Sequence, residues 1–179
     1  MVAREVAIER GQPLEHVVVR VLPAPGHPEL AIGAVGPWGV RVVNDGLARA
    51  LGIAPATIDA LASLELRQVA RQQRAAGAPD PTGFAGDTVI LVDEGMATGA
   101  TARAAVAIAR AGGAAKVVVA AAVASPETAE RLEREVDALV VPMTPEPFVS
   151  VGYWYDRFPD ISDGDVRRLL SPRHLLTVA

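Results

Sequence analysis

Apolar runs alternate with helix-like patterns along most of this chain, and the alternation predicts an α/β fold. Strands are predicted over four apolar runs, residues 16–22, 89–92, 116–123 and 138–141, the first of them as a central strand. Helices are predicted over residues 55 to about 75, 101–111 and 126 to about 136. Gly112-Gly113 is predicted to end the second of these helices, and Ser125 to cap the third, with Pro126 at its first position. Strand and helix alternate from Val89 onward, so we expect a parallel sheet with right-handed crossovers and flanking helices.

The first part of the chain carries shorter elements. Residues 2–9 are predicted as the end of a helix, and residues 23–28, with three prolines and one glycine, are predicted as a loop. Two β-prone pieces, 30–35 and 39–44, flank a Gly-Pro-Trp-Gly turn and predict a hairpin or flap. We interpret Trp38 in this turn as a packing residue, with a ligand contact as the alternative.

The composition is that of one soluble domain with a substantial core. The 179 residues are 50% hydrophobic, which excludes a disordered chain, and a net charge of −4 gives no general attraction to nucleic acid. The absence of cysteine excludes disulfides, zinc–thiolate sites and a cysteine nucleophile. The N-terminus lacks the apolar core of a signal peptide and no run reaches membrane length. We therefore expect a cytoplasmic protein with no membrane or nucleic-acid partner.

The chain is organised around residues 89–101, where an apolar strand is followed by two acids and a loop of small residues. Asp93 and Glu94 are expected where the strand leaves the sheet, the end at which open α/β sheets bind ligands. Gly99 and Ala100 let an anion approach the backbone N–H groups at the start of the next helix, beside two threonine hydroxyls. Two nearby carboxylates suit sugar hydroxyls or a divalent cation. A ligand that carries a phosphate at one end and a diol nearby is a sugar phosphate, so the stretch suits this class of ligand.

This stretch resembles the PRPP-binding motif of type I phosphoribosyltransferases, in which an apolar strand and two acids precede Thr-Gly-x-Thr. The resemblance implies a Rossmann-like parallel sheet with flanking helices and a small C-terminal hood. It also implies that Asp93 and Glu94 are the catalytic pair and hold the ribose hydroxyls of phosphoribosyl pyrophosphate (PRPP), while the loop holds the 5′-phosphate. The implied ligand-binding residues in this stretch are Asp93, Glu94, Gly95, Met96, Ala97, Thr98, Gly99, Ala100 and Thr101.

The likeness extends over nearly the whole chain, which we interpret as one domain of residues 1–179. It includes residues 24–34 in the first part and, near the end, residues 144–148 and the sequence Gly152-x-Trp154-Tyr155. These stretches resemble a little-characterised bacterial branch of predicted phosphoribosyltransferases. We expect a core over about residues 1–141 and a hood or tail over about residues 142–179.

The chain departs from the family pattern at three places. Asp93-Glu94 reverses the Glu-Asp order of many members. The opening, residues 2–7, resembles the helix that follows the family's pyrophosphate loop, so that loop and the strand before it are missing from this sequence. Arg20 is followed by Val21, where the branch tends to have a lysine. Either the protein starts further upstream, or this form binds a ribose phosphate without completing the transfer.

The implied activity is transfer of the phosphoribosyl group from PRPP to a nitrogen acceptor, most often a nucleobase in this family, with release of pyrophosphate. Mg²⁺ would enter with PRPP as a cofactor, and no metal site formed by the protein alone is expected. The alternative is a catalytically degenerate regulatory protein that binds PRPP or a nucleotide. A structural Rossmann-like module is a third interpretation, and apolar Ala/Val surfaces make a homodimer a further expectation.

Two arginines are candidate contacts for the leaving pyrophosphate. One is Arg20, at the end of a Val-Val-Val run, and the other is Arg74. Arg67, Arg71 and Arg74 lie four and three residues apart, which places them on one face of the predicted helix. A solvated basic face is the competing interpretation of these three residues.

The tail contains a cluster of aromatic residues and a helix signal. Trp154 or Tyr155 would stack on a base if the tail forms a hood over the acids, and a small satellite core is the alternative. Residues 162–165 read as the start of a short helix that continues to residue 170.

Overall fold

The structure is a computed structural model that describes residues 2–76, 84–159 and 164–165. Its helices are α1 (Val2–Arg10), α2 (Asp45–Ala50), α3 (Pro55–Ala76), α4 (Ala100–Ala111) and α5 (Pro126–Glu133). Its strands are β1 (Arg20–Ala24), β2 (His27–Val35), β3 (Arg41–Val43), β4 (Thr88–Met96), β5 (Lys116–Ala124) and β6 (Ala138–Val140). Among the described residues, none of the helices combines the length and apolarity needed to cross a bilayer.

Strands β4, β5 and β6 form a parallel sheet in that order. The register pairs Val89 with Val117 and Val119 with Leu139. Every second residue of β5 from Val117 to Val123 is buried, because side chains alternate across a strand and α4 and α5 cover one face. The predicted class, α/β with a parallel sheet and flanking helices, is confirmed.

Strands β1, β2 and β3 form a second, antiparallel sheet with β2 in the middle. Strands β2 and β3 flank the turn at Pro37–Gly39, as the predicted hairpin requires, and Trp38 is half-buried there. The prediction of a central strand over residues 16–22 is wrong, because β1 begins at Arg20 and is an outer strand. The apolar residues before β1 enter the core without strand pairing, as the burial of Val18 shows.

The loop predicted over residues 23–28 is wrong as well, because only a two-residue turn separates β1 from β2. Ala24 pairs with His27 across this turn, and Gly26 adopts a φ of +79°. Pro23 has no N–H to donate, but it lies in an outer strand whose register shifts on both sides of it. An outer strand tolerates the missing donor, so the proline does not end β1.

Helix α3 packs one face against the antiparallel sheet. Ile58, Ala62 and Val69 are buried in the core that this helix shares with β1 and β2. Their spacing places them on one stripe of the helix. Leu66 packs against the same core, whereas Leu64 is 46% exposed, so Leu66 completes the stripe.

Helix α4 contacts strands of both sheets. Its side chains are mostly small, and Ala104 and Ile108 are almost fully buried. Gly36, directly after β2, has no room for a Cβ, which would collide with Cδ1 of Ile108. Gly112 caps the helix C-terminus as predicted, and the helix starts at Ala100, one residue before its predicted start. The loop of the candidate site is therefore also the start of the helix that the two sheets share.

The tail after β6 runs past the carboxyl ends of the parallel strands. The Ala124 N–H donates a hydrogen bond of 3.0 Å to the carbonyl oxygen of Met143, which extends the parallel pairing by one isolated bridge. A single 3-10 turn follows at Gly152–Trp154. The helix predicted over residues 162–170 lies outside the described residues except for Gly164 and Asp165, which are helical.

Candidate ligand-binding site

Asp93 and Glu94 lie inside β4, so the prediction that the strand ends before them is wrong. Pairing with β5 continues through Gly95 and Met96, which keeps both acids in the sheet, close to its carboxyl end. Both side chains are half-buried. The Gly95 N–H donates to Oδ1 of Asp93 at 3.4 Å, a long bond that helps hold this carboxylate in place.

The surroundings of Asp93 disfavour its negative charge. Burial raises the pKa of Asp93 above its ordinary value, and the charge of Glu94 raises it further. The N–H groups of Gly95 and Glu94 lower the pKa in part. A carboxylate in this position is stabilised by added hydrogen-bond donors or by a cation, so the pair suits a diol or a divalent metal ion.

The tail covers the end of β4 beside the acids. Tyr155 Oη donates a hydrogen bond of 2.6 Å to the carbonyl oxygen of Glu94. Val151 lies against Gly95, where an added Cβ would be 2.6 Å from Val151 Cγ1. Burial raises the pKa of Tyr155, and the charges of Glu94 and Asp93 add to the shift, so the hydroxyl stays a donor at neutral pH. The tail is thus in contact with β4 next to the acids.

The loop after β4 is held from behind by the start of α5. The carbonyl oxygen of Ala97 accepts two hydrogen bonds, from Ser125 Oγ at 2.8 Å and from Thr128 Oγ1 at 2.7 Å. Ser125 also caps α5, because its Oγ accepts from the Thr128 N–H at 3.2 Å, which confirms the predicted N-cap. Ser125 therefore bonds both the loop after β4 and the first turn of α5.

Gly99 is required by both the backbone and the packing. It precedes α4 with a φ of 70°, the left-handed region that glycine enters at least cost. A Cβ at this position would lie 2.7 Å from Cγ2 of Thr128. The same threonine therefore bonds the loop and fills the space beside its glycine.

The loop is open to solvent at the positions predicted to bind phosphate. Ala97, Thr98 and Thr101 are exposed, whereas Gly99 is buried against α5. The first N–H groups of a helix lack intrahelical partners. Among the described residues, the N–H of Ala100 makes a long contact of 3.4 Å with Thr98 Oγ1. Met96 is 2% exposed, so its side chain belongs to the core. An anion can therefore reach the backbone of this loop.

A cleft of about 290 Å³ opens beside the loop. It is bordered by the antiparallel sheet, the loop and the first turns of α4 and α5. Its polar lining residues are Asn44, Thr98, Arg103, Glu127, Thr128 and Arg131. Ala97 and Ala100 of the loop also line the cleft, but Asp93 and Glu94 do not.

The predicted arginines lie elsewhere. Arg20 Nε donates to Glu65 Oε2 of α3 at 2.8 Å, and the pair is partly exposed. Arg67, Arg71 and Arg74 are exposed on α3, as the solvated basic face predicts. Within the described residues, none of these four arginines lines the cleft. The structure therefore places neither Arg20 nor Arg74 in the lining of this cleft.

The aromatic residues of the tail contact one another. Trp154 is half-buried and meets Tyr153 edge-on at a centroid distance of 5.2 Å. Tyr155 packs against Phe158 at 5.3 Å. Within the described part of the chain, Nε1 of Trp154 is buried and has no hydrogen-bond partner. These contacts agree with a satellite core, while the Tyr155 bond to Glu94 brings that core to the acids.

A metal ion is compatible with the acids only in company with other ligands. Over residues 2–76, 84–159 and 164–165, no group of three or more acidic or histidine side chains could hold a metal ion. Asp93 and Glu94 supply hard carboxylate oxygens, and Mg²⁺ is often held by one or two carboxylates together with substrate phosphates. The pair therefore fits a magnesium ion that arrives with a phosphorylated ligand.

Several residues around the loop are not apparent from the sequence. Ser125 is recognisable as a helix cap, but its second bond, to Ala97, depends on the parallel neighbours β4 and β5 ending side by side. No feature of the sequence identifies Thr128 as a residue that contacts the loop. Arg103, four residues after Gly99, is one helical turn from the loop, and this spacing is the one sequence feature that could have indicated it.

The fold and the loop together define an α/β protein with a candidate anion-binding loop near the carboxyl end of its parallel sheet. The chain is similar to the crystal structure of TT1426 from Thermus thermophilus, with a TM-score of 0.75 and 37% sequence identity, covering 94% of this chain and 80% of that one. This chain and the Thermus protein therefore belong to the same family.

Two curated relatives come from Mycobacterium tuberculosis, strains CDC 1551 / Oshkosh and ATCC 25618 / H37Rv. Each is named "Putative phosphoribosyl transferase" and is 40% identical to this chain over 174 residues. The match covers 97% of this chain and 39% of each relative, so the chain spans about two fifths of their length. No family model matches the chain. The relatives support a phosphoribosyltransferase-like family.

Proposed function

We propose that this protein binds PRPP and transfers its phosphoribosyl group to a nitrogen of an acceptor, a nucleobase, with release of pyrophosphate. The observation that carries the proposal is the direct succession of a half-buried acid pair, Asp93 and Glu94, and an open loop, Ala97 to Thr101, that α5 holds in place. The names of the mycobacterial relatives support the same class of reaction.

In this proposal the loop is the handle for the 5′-phosphate. Backbone N–H groups at the start of α4 and the hydroxyls of Thr98 and Thr101 would donate to the phosphate oxygens. Because Ser125 and Thr128 fix the Ala97 carbonyl, the loop is preorganised and loses little freedom when the ligand binds. Phosphate binding would thereby position C1 of the ribose for reaction.

The acids would act on the ribose itself. Their carboxylates would accept hydrogen bonds from the 2′- and 3′-hydroxyls. As the bond from C1 to the pyrophosphate oxygen breaks, positive charge develops on the sugar, and the negative pair next to it stabilises that charge. The acceptor nitrogen forms the new bond to C1 and loses its proton to solvent, so atoms and charges balance. Mg²⁺ would neutralise the departing pyrophosphate when it is bound.

The proposal is tested by isothermal titration of PRPP in the presence of Mg²⁺, followed by a screen of purine and pyrimidine bases for PRPP-dependent pyrophosphate release. We expect PRPP to bind the parent protein and to bind Asp93→Asn less tightly, because one acceptor for the diol loses its charge. Asp59→Asn, an exposed acid of α3 paired with Arg41, is the matched control and should bind as the parent does. Failure of the parent to bind millimolar PRPP would overturn the proposal.

A second candidate function is regulatory binding of PRPP or a nucleotide without transfer. The position of the arginines favours it, because Arg20 is engaged by Glu65 and Arg74 lies on an exposed face outside the cleft. Neither arginine lines the cleft beside the loop. PRPP binding without pyrophosphate release from any tested base would support this function over the transferase.

A further inference from the structure

The cleft beside the loop is lined by two arginines for which the proposed transfer has no use. Arg103 projects from α4 and Arg131 from α5, and Thr98 and Ala100 of the loop border the same space. The cleft holds about 290 Å³, roughly ten times the share of one water molecule in the liquid. The cleft therefore has room for a charged group in addition to the phosphate that the loop would bind.

Carboxylates orient both guanidinium groups. Arg103 Nε donates to the two carboxylate oxygens of Glu135 at 3.1 and 2.8 Å, and an Arg131 terminal nitrogen donates to Glu127 at 2.8 Å. A guanidinium has five N–H donors, so each arginine keeps donors beyond these bonds. Glu127 also borders the cleft, but its side chain is 82% exposed and water screens its charge. Fixed guanidinium groups of this kind match the geometry of phosphate oxygens.

We propose that the cleft is a subsite for a second phosphate joined to the 5′-phosphate, so that nucleoside 5′-diphosphates bind at the loop and compete with PRPP. The first phosphate occupies the loop, and the second receives hydrogen bonds from Arg103 and Arg131. This inference rests on the proposed function, because it needs a 5′-phosphate on the loop. It adds nucleoside 5′-diphosphates as competing ligands, which the transfer of a phosphoribosyl group from PRPP does not itself require.

The test compares AMP with ADP by isothermal titration without Mg²⁺, which would otherwise mask the diphosphate. We expect ADP to bind about tenfold more tightly than AMP, the scale of one charge-assisted hydrogen bond. In Arg103→Gln this advantage should largely disappear while AMP affinity stays the same. Arg110→Gln is the matched control, since Arg110 is also on α4, is paired with Asp137 and lies outside the cleft.

A second pair of variants covers the case in which Arg103→Gln fails to fold. Arg131→Gln should also reduce the ADP advantage, whereas Arg134→Gln, on an arginine just after α5 that pairs with Glu130, should not. Equal affinity for AMP and ADP would overturn this inference and leave the proposed function standing. So would an equal loss of both affinities in Arg103→Gln. Failure of AMP, ADP and PRPP alike to bind would overturn both proposals together.

Discussion

The Tyr155 hydroxyl donates a hydrogen bond of 2.6 Å to the carbonyl oxygen of Glu94, and this bond links the tail to the strand that carries the acids. The two residues are 61 positions apart, so the bond fixes tertiary placement of the tail. Because the backbone of Glu94 determines where the neighbouring carboxylates point, the tail takes part in shaping the acid pair.

Tyr155→Phe should destabilise the protein by about 1 kcal/mol, because it removes this donor and leaves a carbonyl without its partner. The ring can still pack against Phe158. PRPP affinity should fall as well, and both effects are measured by urea denaturation and isothermal titration. Tyr153→Phe is the control, since Tyr153 is 66% exposed. Equal free energies of unfolding for the two variants would show that the bond to Glu94 contributes nothing to stability.

Asp93→Asn should raise the free energy of unfolding at neutral pH. Since the folded protein raises the pKa of Asp93, chiefly by burial, the stability linked to its protonation is present below the ordinary pKa of 3.8 and is lost as pH rises through the folded value. Above that range the ionised carboxylate destabilises the fold, and an amide does not. We expect a gain of about 0.5–2 kcal/mol at pH 7, the usual scale of a single stabilising substitution.

The gain from Asp93→Asn should shrink as the pH falls and be absent below the ordinary pKa of 3.8, where the carboxyl is protonated in the folded and the unfolded parent alike. Urea denaturation of both proteins across this pH range measures the difference. A variant that is less stable than the parent at pH 7 would contradict the prediction. PRPP binding should weaken in the same variant, so stability and binding should change in opposite directions.

Gly99→Ala should destabilise the protein more than Gly52→Ala. Both glycines have positive φ, 70° and 65°, but an added Cβ meets nothing within 4 Å at Gly52 and would lie 2.7 Å from Thr128 Cγ2 at Gly99. The backbone cost is about 1–2 kcal/mol at each position, and overpacking adds about 1–3 kcal/mol at Gly99. Thermal denaturation of the two variants measures the difference.

Replacing Thr128 by serine tests the cause of that difference. Thr128→Ser removes Cγ2 and keeps the hydroxyl that bonds Ala97. Added to Gly99→Ala, it should recover the overpacking part of the loss but not the backbone part. No recovery in the double variant would show that Thr128 is not what excludes a side chain at position 99.

Ser125 has two roles, and two substitutions separate them. Ser125→Ala removes both the α5 cap and the bond to the Ala97 carbonyl, so it should cost about 1–2 kcal/mol and weaken phosphate binding. Ser125→Asp can still accept from the Thr128 N–H but has no donor for Ala97. It should keep most of the stability and still bind PRPP less tightly. Equal PRPP affinity of Ser125→Asp and the parent would contradict a role for Ser125 in positioning the loop.

The sequence predicts the second half of the fold well, because each element there carries its own local signal. Apolar runs mark β4, β5 and β6, Gly112 marks the end of α4, and Ser125-Pro126 marks the start of α5. The acids and the loop follow from the order of these elements. Their exact limits do not, because β4 continues past Asp93 only through its pairing with β5.

The first half is predicted less well, because tertiary context decides its strands. Residues 17–19 are as apolar as a buried strand, yet pairing begins only at Arg20. Pro23 suggests a break, and its position in an outer strand removes the need for its missing N–H. The cleft with Arg103 and Arg131 is likewise invisible in sequence, since it is formed by segments that meet only in the folded chain.

The alanine-rich helix α4 contacts strands of both sheets, and its first turn is also the proposed phosphate handle. Occupancy of that turn should therefore slow amide hydrogen exchange in β2 of the hairpin as well as in β5 of the parallel sheet. Heating should disrupt both cores in one cooperative transition, with a melting temperature that rises as the ligand concentration increases.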